Sequence, residues 1–126
     1  MNSAPKRIII DLDNTLTIDT KGVCYSDKQP NLPVIEKLLE YKNLGFHITI
    51  FTARNKNTFK GNIQLIEENT LPKIKGWLEK NKIIYDDILI GKPWCGSGFY
   101  VDDKAIRPDE FVQLTFDQVQ KIINDE

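Results

Sequence analysis

The chain has 126 residues, 40% hydrophobic and 28% charged, which is typical of one globular domain and excludes a disordered or membrane-embedded protein. Its 17 basic and 18 acidic residues give a net charge of -1, without the basic excess of a nucleic-acid-binding protein, so no nucleic-acid partner is expected. We expect a single domain over residues 1–126. Two cysteines and one histidine are too few for a disulfide framework or a zinc site.

The N-terminal residues 1–7 run directly into a hydrophobic segment and leave no room for the apolar core of a signal peptide. No hydrophobic run approaches the length of a transmembrane helix. We therefore expect a cytoplasmic protein with no membrane partner.

The first predicted strand contains Ile8, Ile9 and Ile10, three β-branched residues that favour burial on both faces in the middle of a parallel sheet. Asp11 and Asp13 follow where this strand ends. Ligands of open α/β sheets bind outside the carboxyl ends of the strands, so both carboxylates are expected at the mouth of a crevice. The alternative is a polar exit from the strand without function, because Asp, Asn and Thr are ordinary turn residues.

Residues 15–29 are polar and predict a short hairpin or flap. Asn31 and Pro33 then begin an amphipathic helix that Gly45 ends. Residues 46–51 predict the second strand, which leads into Thr52 and Arg54. Because strand, helix and strand form a parallel crossover, Thr52 is expected at the same sheet edge as Asp11.

Residues 53–69 are interpreted as a long connection without assigned structure. Thr70 begins a helix with Trp77 on its apolar face. Strands are predicted at 88–90 and 99–101 on either side of a turn-rich loop, and two helices at 109–114 and 116–123 end the chain. The fold class predicted from this order is α/β with a mainly parallel central sheet.

The strand ends bring together acidic residues, a hydroxyl group and an ammonium group. Carboxylates that converge in a crevice repel each other unless a cation or a proton intervenes, and oxygen ligands without thiolate or imidazole favour Mg²⁺. A hydroxyl and an ammonium opposite these acids suit a phosphoryl group. The residues concerned are Asp11, Asp13, Thr52, Lys92, Asp102 and Asp103.

These residues resemble, in order and spacing, the four motifs of the haloacid dehalogenase superfamily of aspartate-nucleophile phosphatases. The resemblance covers essentially the whole chain and implies a Rossmann-like three-layer sandwich. The matching segments are Asp11-Leu12-Asp13-Asn14-Thr15, Thr52, Lys92 and Asp102-Asp103.

The resemblance implies a role for each residue. Asp11 would be the nucleophile and a metal ligand, and Asp13 the general acid and base that lends its backbone carbonyl to Mg²⁺. Thr52 and Lys92 would hold the phosphoryl oxygens and the aspartyl-phosphate. The remaining implied metal ligands are Asp102 and Asp103, and which of the two binds directly stays open.

Residues 91–96 and 98–111 resemble, more closely, small phosphatases associated with bacterial capsular polysaccharide biosynthesis. This resemblance implies a phosphorylated sugar or glycan precursor as substrate. The intervals that hold a cap domain in other members are too short here, so a capless, open site is expected, completed by the flap or by a second subunit of a homo-oligomer. Arg54 is a candidate for binding substrate or for a plain salt bridge, and Trp94 for substrate stacking or loop packing.

Two other functions remain as alternatives. A phospho-receiver, which is a regulatory domain, also combines Mg²⁺, aspartates, a hydroxyl residue and a lysine, but its hydroxyl residue and lysine follow all the aspartates. In this chain Thr52 and Lys92 precede the second acidic pair. A phosphoryl-transferring mutase on the same fold differs only in having a sugar hydroxyl as the acceptor.

Overall fold

The protein is built around a parallel β-sheet, seen in a computed structural model that describes residues 6–54, 60, 62–93 and 95–124. Its elements in chain order are β1 (Arg7–Asp11), a wide helical turn (Leu12–Leu16), β2 (Thr17–Ile18), a 3₁₀ turn (Tyr25–Asp27), β3 (Gln29–Pro30), α1 (Leu32–Asn43), β4 (His47–Thr52), α2 (Ile63–Asn69), α3 (Leu71–Lys80), β5 (Asp87–Ile90), β6 (Phe99–Val101), α4 (Pro108–Gln113) and α5 (Phe116–Ile123).

Within the described residues the main sheet has four strands in the order β5-β4-β1-β6, and every pairing is parallel. The predicted α/β class with a parallel central sheet is therefore confirmed. Ile8, Ile9 and Ile10 are at most 1% exposed, as expected for an interior strand. Burial of each isoleucine contributes about 1.5–3 kcal/mol to folding, so these side chains anchor β1 firmly in the sheet.

The hydrophobic core lies where α1 and α3 pack on one face of this sheet. Alternate residues of a strand point to the same face, so every second residue of β1 and β4 joins the helices. Trp77 of α3 is 4% exposed and belongs to the core, as its helical spacing predicts. The core includes Ile8, Ile10, Leu38, Ile48, Ile50, Ile74, Trp77 and Leu78.

The segment between β1 and α1 contains a two-stranded hairpin. Strands β2 and β3 pair antiparallel, with Thr17 opposite Pro30 and Ile18 opposite Gln29. The backbone N–H of Asn31 donates to the Leu16 carbonyl at 2.8 Å, which joins the end of the hairpin to the turn after β1. The hairpin therefore lies directly beside the residues that follow the central strand.

The connection after β4, to which the sequence assigned no structure, contains α2 over Ile63–Asn69. The side chain of Asn62 accepts a hydrogen bond from the Leu65 N–H at 3.2 Å and so caps this helix. Ile63 and Leu65 of this helix remain exposed, so these two side chains do not anchor it in the core. Within the described residues, no helix combines the length and apolar character needed to cross a bilayer.

Gly98 precedes β6 at a point where a side chain has no space. A Cβ atom there would lie 2.7 Å from the carbonyl carbon of Arg7 and 2.9 Å from its Cβ. We expect Gly98→Ala to lower the free energy of unfolding by about 2–4 kcal/mol, because β6 must shift away from β1. Urea denaturation measures this change.

Gly76 of α3 provides the matched control, since no described atom lies within 4 Å of a Cβ added there. Gly76→Ala should raise the free energy of unfolding by up to about 1 kcal/mol, because alanine favours a helix more than glycine does. A Gly98→Ala variant as stable as the wild type would contradict the close packing of β6 on β1.

Candidate active site

The turn that follows β1 determines where its polar side chains lie. Leu12 and Leu16 are at most 1% exposed and anchor both ends of the turn in the core. Between them, Asn14 has a φ of 59°, a left-handed conformation that asparagine tolerates better than most residues. The buried leucines thus hold Asp11, Asp13 and Asn14 at the carboxyl edge of the sheet.

Three of the four predicted acidic residues come together at this edge. Ile10 lies opposite Val101 in the parallel pairing of β1 with β6, so Asp11 and Asp102 leave the sheet side by side. One carboxylate oxygen from each of Asp11, Asp102 and Asp103 lies within 4.8 Å of the others. The donor set consists entirely of carboxylate oxygens and fits a hard divalent cation such as Mg²⁺.

Neighbouring polar groups orient this acidic cluster, which we define as Asp11, Asp102 and Asp103. The Thr15 hydroxyl donates to Asp11 Oδ2 at 3.1 Å, and the Asn14 amide donates to Asp103 Oδ2 at 3.2 Å. Thr15 and Asn14 both belong to the turn after β1. The same turn therefore aims Asp11 and makes a direct contact with Asp103 of the neighbouring strand end.

The acidic cluster and its burial disfavour the ionised form of Asp11. Burial, a hydrogen bond with Asp103 and the negative charges of Asp102 and Asp103 together raise the pKa of Asp11 from 3.8 to about 8, against a smaller lowering by Thr15. At neutral pH this carboxyl is therefore mostly protonated when nothing compensates the neighbouring charges. A cation bound among the three carboxylates would remove that penalty.

Lys92 brings a positive charge to the edge of the acidic cluster. Its ammonium lies 3.5 Å from Asp102 Oδ2 and stays partly exposed. It also lies over the ring of Tyr100, 4.4 Å from the ring centroid, and 5.8 Å from that of Phe51. These aromatic faces hold the ammonium by cation–π attraction and leave it near the space in front of the carboxylates.

Asp13 lies in a different environment from Asp11, although the two are one residue apart. Arg54 Nη2 donates to Asp13 Oδ1 at 2.6 Å, and Arg54 Nε donates to Oδ2 at 3.4 Å. The Thr52 hydroxyl donates to Oδ2 at 3.3 Å. Thr52 therefore lies at the predicted edge of the sheet, next to Asp13. Arg54 forms a salt bridge with Asp13, which is one of the two roles expected for it.

Lys28 is a second cation at Asp13 that the sequence did not predict. The Lys28 ammonium lies 3.1 Å from Asp13 Oδ1 and 2.9 Å from Asp19 Oδ1, and its side chain is only 7% exposed. Burial raises the pKa of Asp19, but hydrogen bonds from Thr17 and Lys28 outweigh it and lower the pKa overall. The only sequence signal was the location of Lys28 within the predicted flap, one of many lysines at exposed-looking positions.

A groove of about 480 Å³ runs away from Lys92 and Asp102 along β6. Tyr100, Arg107 and Glu110 contribute to its lining, so the groove combines an aromatic ring with charged groups of both signs. Its position extends the site beyond the acidic cluster. The other proposed substrate contact, Trp94, lies outside the described residues.

The raised pKa of Asp11 predicts how stability depends on pH without metal. Between pH 4 and pH 8 the folded chain keeps a proton on Asp11 that the unfolded chain has lost, so stability falls as pH rises. In a chelating buffer we expect the melting temperature to fall by about 5 °C or more from pH 5 to pH 8. Asp103→Asn removes two causes of the shift and should reduce this fall.

Asp117→Asn is the matched control, because Asp117 is an exposed aspartate of α5 far along the chain from the acidic cluster. Its melting temperature should follow the wild-type dependence on pH. Addition of Mg²⁺ should stabilise the wild type and Asp117→Asn, but stabilise Asp103→Asn much less. An unchanged pH dependence in Asp103→Asn would show that the acidic cluster does not destabilise the protein.

A solved structure from Vibrio cholerae is similar to this chain along almost its full length. The two are 48% identical with a TM-score of 0.65, and the alignment covers 94% of this chain and 97% of the Vibrio chain. No protein-family model matches the chain, and a search of curated proteins gives no match.

Two further solved structures share the fold at low identity. A chain of the Pnkp1/Rnl/Hen1 complex is 20% identical with a TM-score of 0.55, over 90% of this chain and 36% of that one. A chain of the Pnkp1/Rnl/Hen1 RNA repair complex is 22% identical with a TM-score of 0.50, over 86% of this chain and 29% of that one. At 48% identity over nearly all of both chains, this protein belongs to the family of the Vibrio cholerae protein.

Proposed function

We propose that this protein is a magnesium-dependent phosphatase of the haloacid dehalogenase superfamily, with a Rossmann-like three-layer domain and no cap. The observation that carries the proposal is the convergence of Asp11, Asp102 and Asp103 at the carboxyl edge of the sheet, with the Lys92 ammonium beside them. Burial and the neighbouring carboxylates Asp102 and Asp103 raise the pKa of Asp11, an arrangement with no evident structural purpose. The three carboxylates suit a site that binds a divalent cation and a phosphate together.

In the proposed first step, Asp11 attacks the phosphorus of a phosphate monoester. A bond forms between an Asp11 oxygen and phosphorus, and the bond from phosphorus to the ester oxygen breaks. Lys92 neutralises charge on the phosphoryl oxygens. When bound, Mg²⁺ supplies the positive charge that lets a carboxylate nucleophile and a phosphate dianion approach each other, and Asp11, Asp102, Asp103 and the backbone carbonyl of Asp13 would hold it.

Asp13 moves the protons in this proposal. Asp13 would take up a proton from solvent when the arriving phosphoryl group draws Arg54 away from it, and would donate that proton to the departing ester oxygen. It would then remove a proton from the water that attacks the aspartyl-phosphate. The second attack releases inorganic phosphate and restores the Asp11 carboxylate. Arg54 contacts Asp13 in the free protein at 2.6 Å, so an arriving phosphoryl group would compete with Asp13 for this guanidinium.

The proposed substrate class is a phosphorylated sugar or glycan precursor, in line with the resemblance to capsule-associated phosphatases. The groove of about 480 Å³ next to Lys92 and Asp102 supports a substrate that extends beyond its phosphate. Tyr100 offers an aromatic face, and Arg107 and Glu110 offer hydrogen-bonding groups. Aromatic faces with charged and polar neighbours suit the apolar and hydroxylated surfaces of a sugar.

The proposed nucleophile is tested by Asp11→Asn. We expect wild-type protein to hydrolyse 4-nitrophenyl phosphate with Mg²⁺ and to lose this activity with a chelator. Asp11→Asn should lower kcat by at least about 10³-fold, because an amide oxygen is a poor nucleophile. Asp117→Asn should retain wild-type activity. Substantial turnover by a folded Asp11→Asn variant would remove Asp11 from this role.

The substrate class is tested by comparing hexose phosphates, nucleotides and short glycan phosphates, with inorganic phosphate release as the measurement. We expect sugar phosphates to have the highest kcat/KM, and Arg107→Ala to raise their KM about tenfold by removing a cation from the groove. The KM for 4-nitrophenyl phosphate should stay within about twofold. Preference for nucleotides would contradict the glycan proposal, and phosphoryl transfer between sugars without phosphate release would identify a mutase.

A further inference from the structure

Lys28 is a buried cation that joins the hairpin to the residue proposed to move protons. Its ammonium lies 3.1 Å from Asp13 Oδ1 and 2.9 Å from Asp19 Oδ1. Its backbone carbonyl accepts a hydrogen bond of 2.9 Å from the indole N–H of Trp77, which is buried in the core. Lys28 is thus held from both ends, by α3 at its backbone and by two carboxylates at its side chain.

Asp19 completes this connection on the other side of the hairpin. It accepts a hydrogen bond of 2.6 Å from the Thr17 hydroxyl and one of 3.2 Å from the Asn14 N–H. Thr17 begins β2, and Lys28 immediately precedes β3. The Lys28 and Asp19 pair therefore joins β2 to β3 on the loop side of their pairing, and joins both strands to the turn that carries Asp13.

The two cations reach Asp13 from different parts of the fold. Arg54 follows β4 and donates to both oxygens of the carboxylate, whereas Lys28 comes from the hairpin and contacts Oδ1 alone. Contacts from two directions leave the carboxylate a single orientation. Removing one cation would let the side chain rotate towards the other.

We propose that Lys28 is a positioning residue that holds the Asp13 carboxyl in the orientation needed for proton transfer, and that it fastens the hairpin as a fixed wall of the site. This inference rests on the proposed phosphatase function. It goes further in assigning the hairpin a role through one side chain, since a general acid must lie within hydrogen-bond reach of the oxygen that it protonates.

Comparing substrates with different leaving groups distinguishes a misplaced Asp13 from a general loss of structure. An alkyl ester oxygen needs a proton as its bond to phosphorus breaks, whereas 4-nitrophenolate leaves readily without one. A misplaced Asp13 should therefore slow the first turnover of a sugar phosphate much more than that of 4-nitrophenyl phosphate. A merely destabilised site should slow both substrates by the same factor.

The experiment measures the first turnover of both esters, which reports phosphoryl transfer to Asp11 alone. For Lys28→Met we expect a loss of about 30-fold with the sugar phosphate, a loss below about threefold with 4-nitrophenyl phosphate, and a KM within about twofold for both. Lys28→Arg keeps the charge and should restore most of the rate. Lys37→Met is the matched control, since Lys37 is an exposed lysine of α1 paired with Glu40.

Equal losses for the two esters, or no rescue by Lys28→Arg, would overturn the positioning role. If Lys28→Met does not fold, Lys28→Gln, which keeps a hydrogen-bond donor without the charge, takes its place with the same expected pattern. Wild-type protein that hydrolyses neither ester would refute the proposed function, and the catalytic role of Lys28 would be refuted with it.

The contact between Lys28 and Asp13 is tested separately from activity by a double-mutant cycle. Lys28→Met, Asp13→Asn and the double variant are compared in urea denaturation. We expect a coupling of about tenfold in the unfolding equilibrium constant, because each partner loses one of its two opposite charges when the other is removed. A coupling below about twofold would overturn the role of Lys28 in fastening the hairpin to Asp13, whatever the activity measurements give.

Discussion

Repulsion among three carboxylates at one edge of the sheet is the constraint on which the site depends. Asp11, Asp102 and Asp103 lie within 4.8 Å of one another through their nearest oxygens, and the pKa of Asp11 is raised to about 8. This arrangement persists because the strands that carry it are stabilised by other residues. Ile8, Ile9 and Ile10 are buried in β1, so the hydrophobic gain of the central strand offsets the electrostatic cost at its end.

Asp11 and Asp13 show that two aspartates close together in the chain can have very different surroundings. Asp11 faces other carboxylates, whereas Asp13 faces the cations Arg54 and Lys28. Only the buried Leu12 lies between them, at the point where β1 passes into the turn. In the proposed mechanism, a cation bound among the three carboxylates would favour the ionised form of Asp11 that a nucleophile needs. Movement of Arg54 from Asp13 to an arriving phosphoryl group would let Asp13 take up the proton that an acid needs.

The sequence predicted the features that depend on local pattern. Hydrophobic runs and turn residues located β1, β4 and the main helices, and parallel crossovers implied that their polar ends share one edge. It did not predict α2, a short helix capped by Asn62 in a segment without a clear apolar pattern. Nor could it predict Lys28, because a lysine in a polar loop has the same local pattern whether it is exposed or buried between two carboxylates.

The contact of Lys28 with Asp13 indicates a structural role for the hairpin. Lys28 lies 15 positions after Asp13 in the chain, yet its ammonium returns to within 3.1 Å of Asp13 Oδ1. A buried lysine is costly unless it is paired, so its burial requires both Asp13 and Asp19 to keep their places. The pair of Lys28 and Asp19 also joins β2 to β3 on the loop side of their pairing, so it must break before the two strands can separate completely. A segment that is too small to form a cap therefore provides a rigid wall beside Asp13, because Lys28 ties it both to this carboxylate and, through its backbone, to Trp77 of the core.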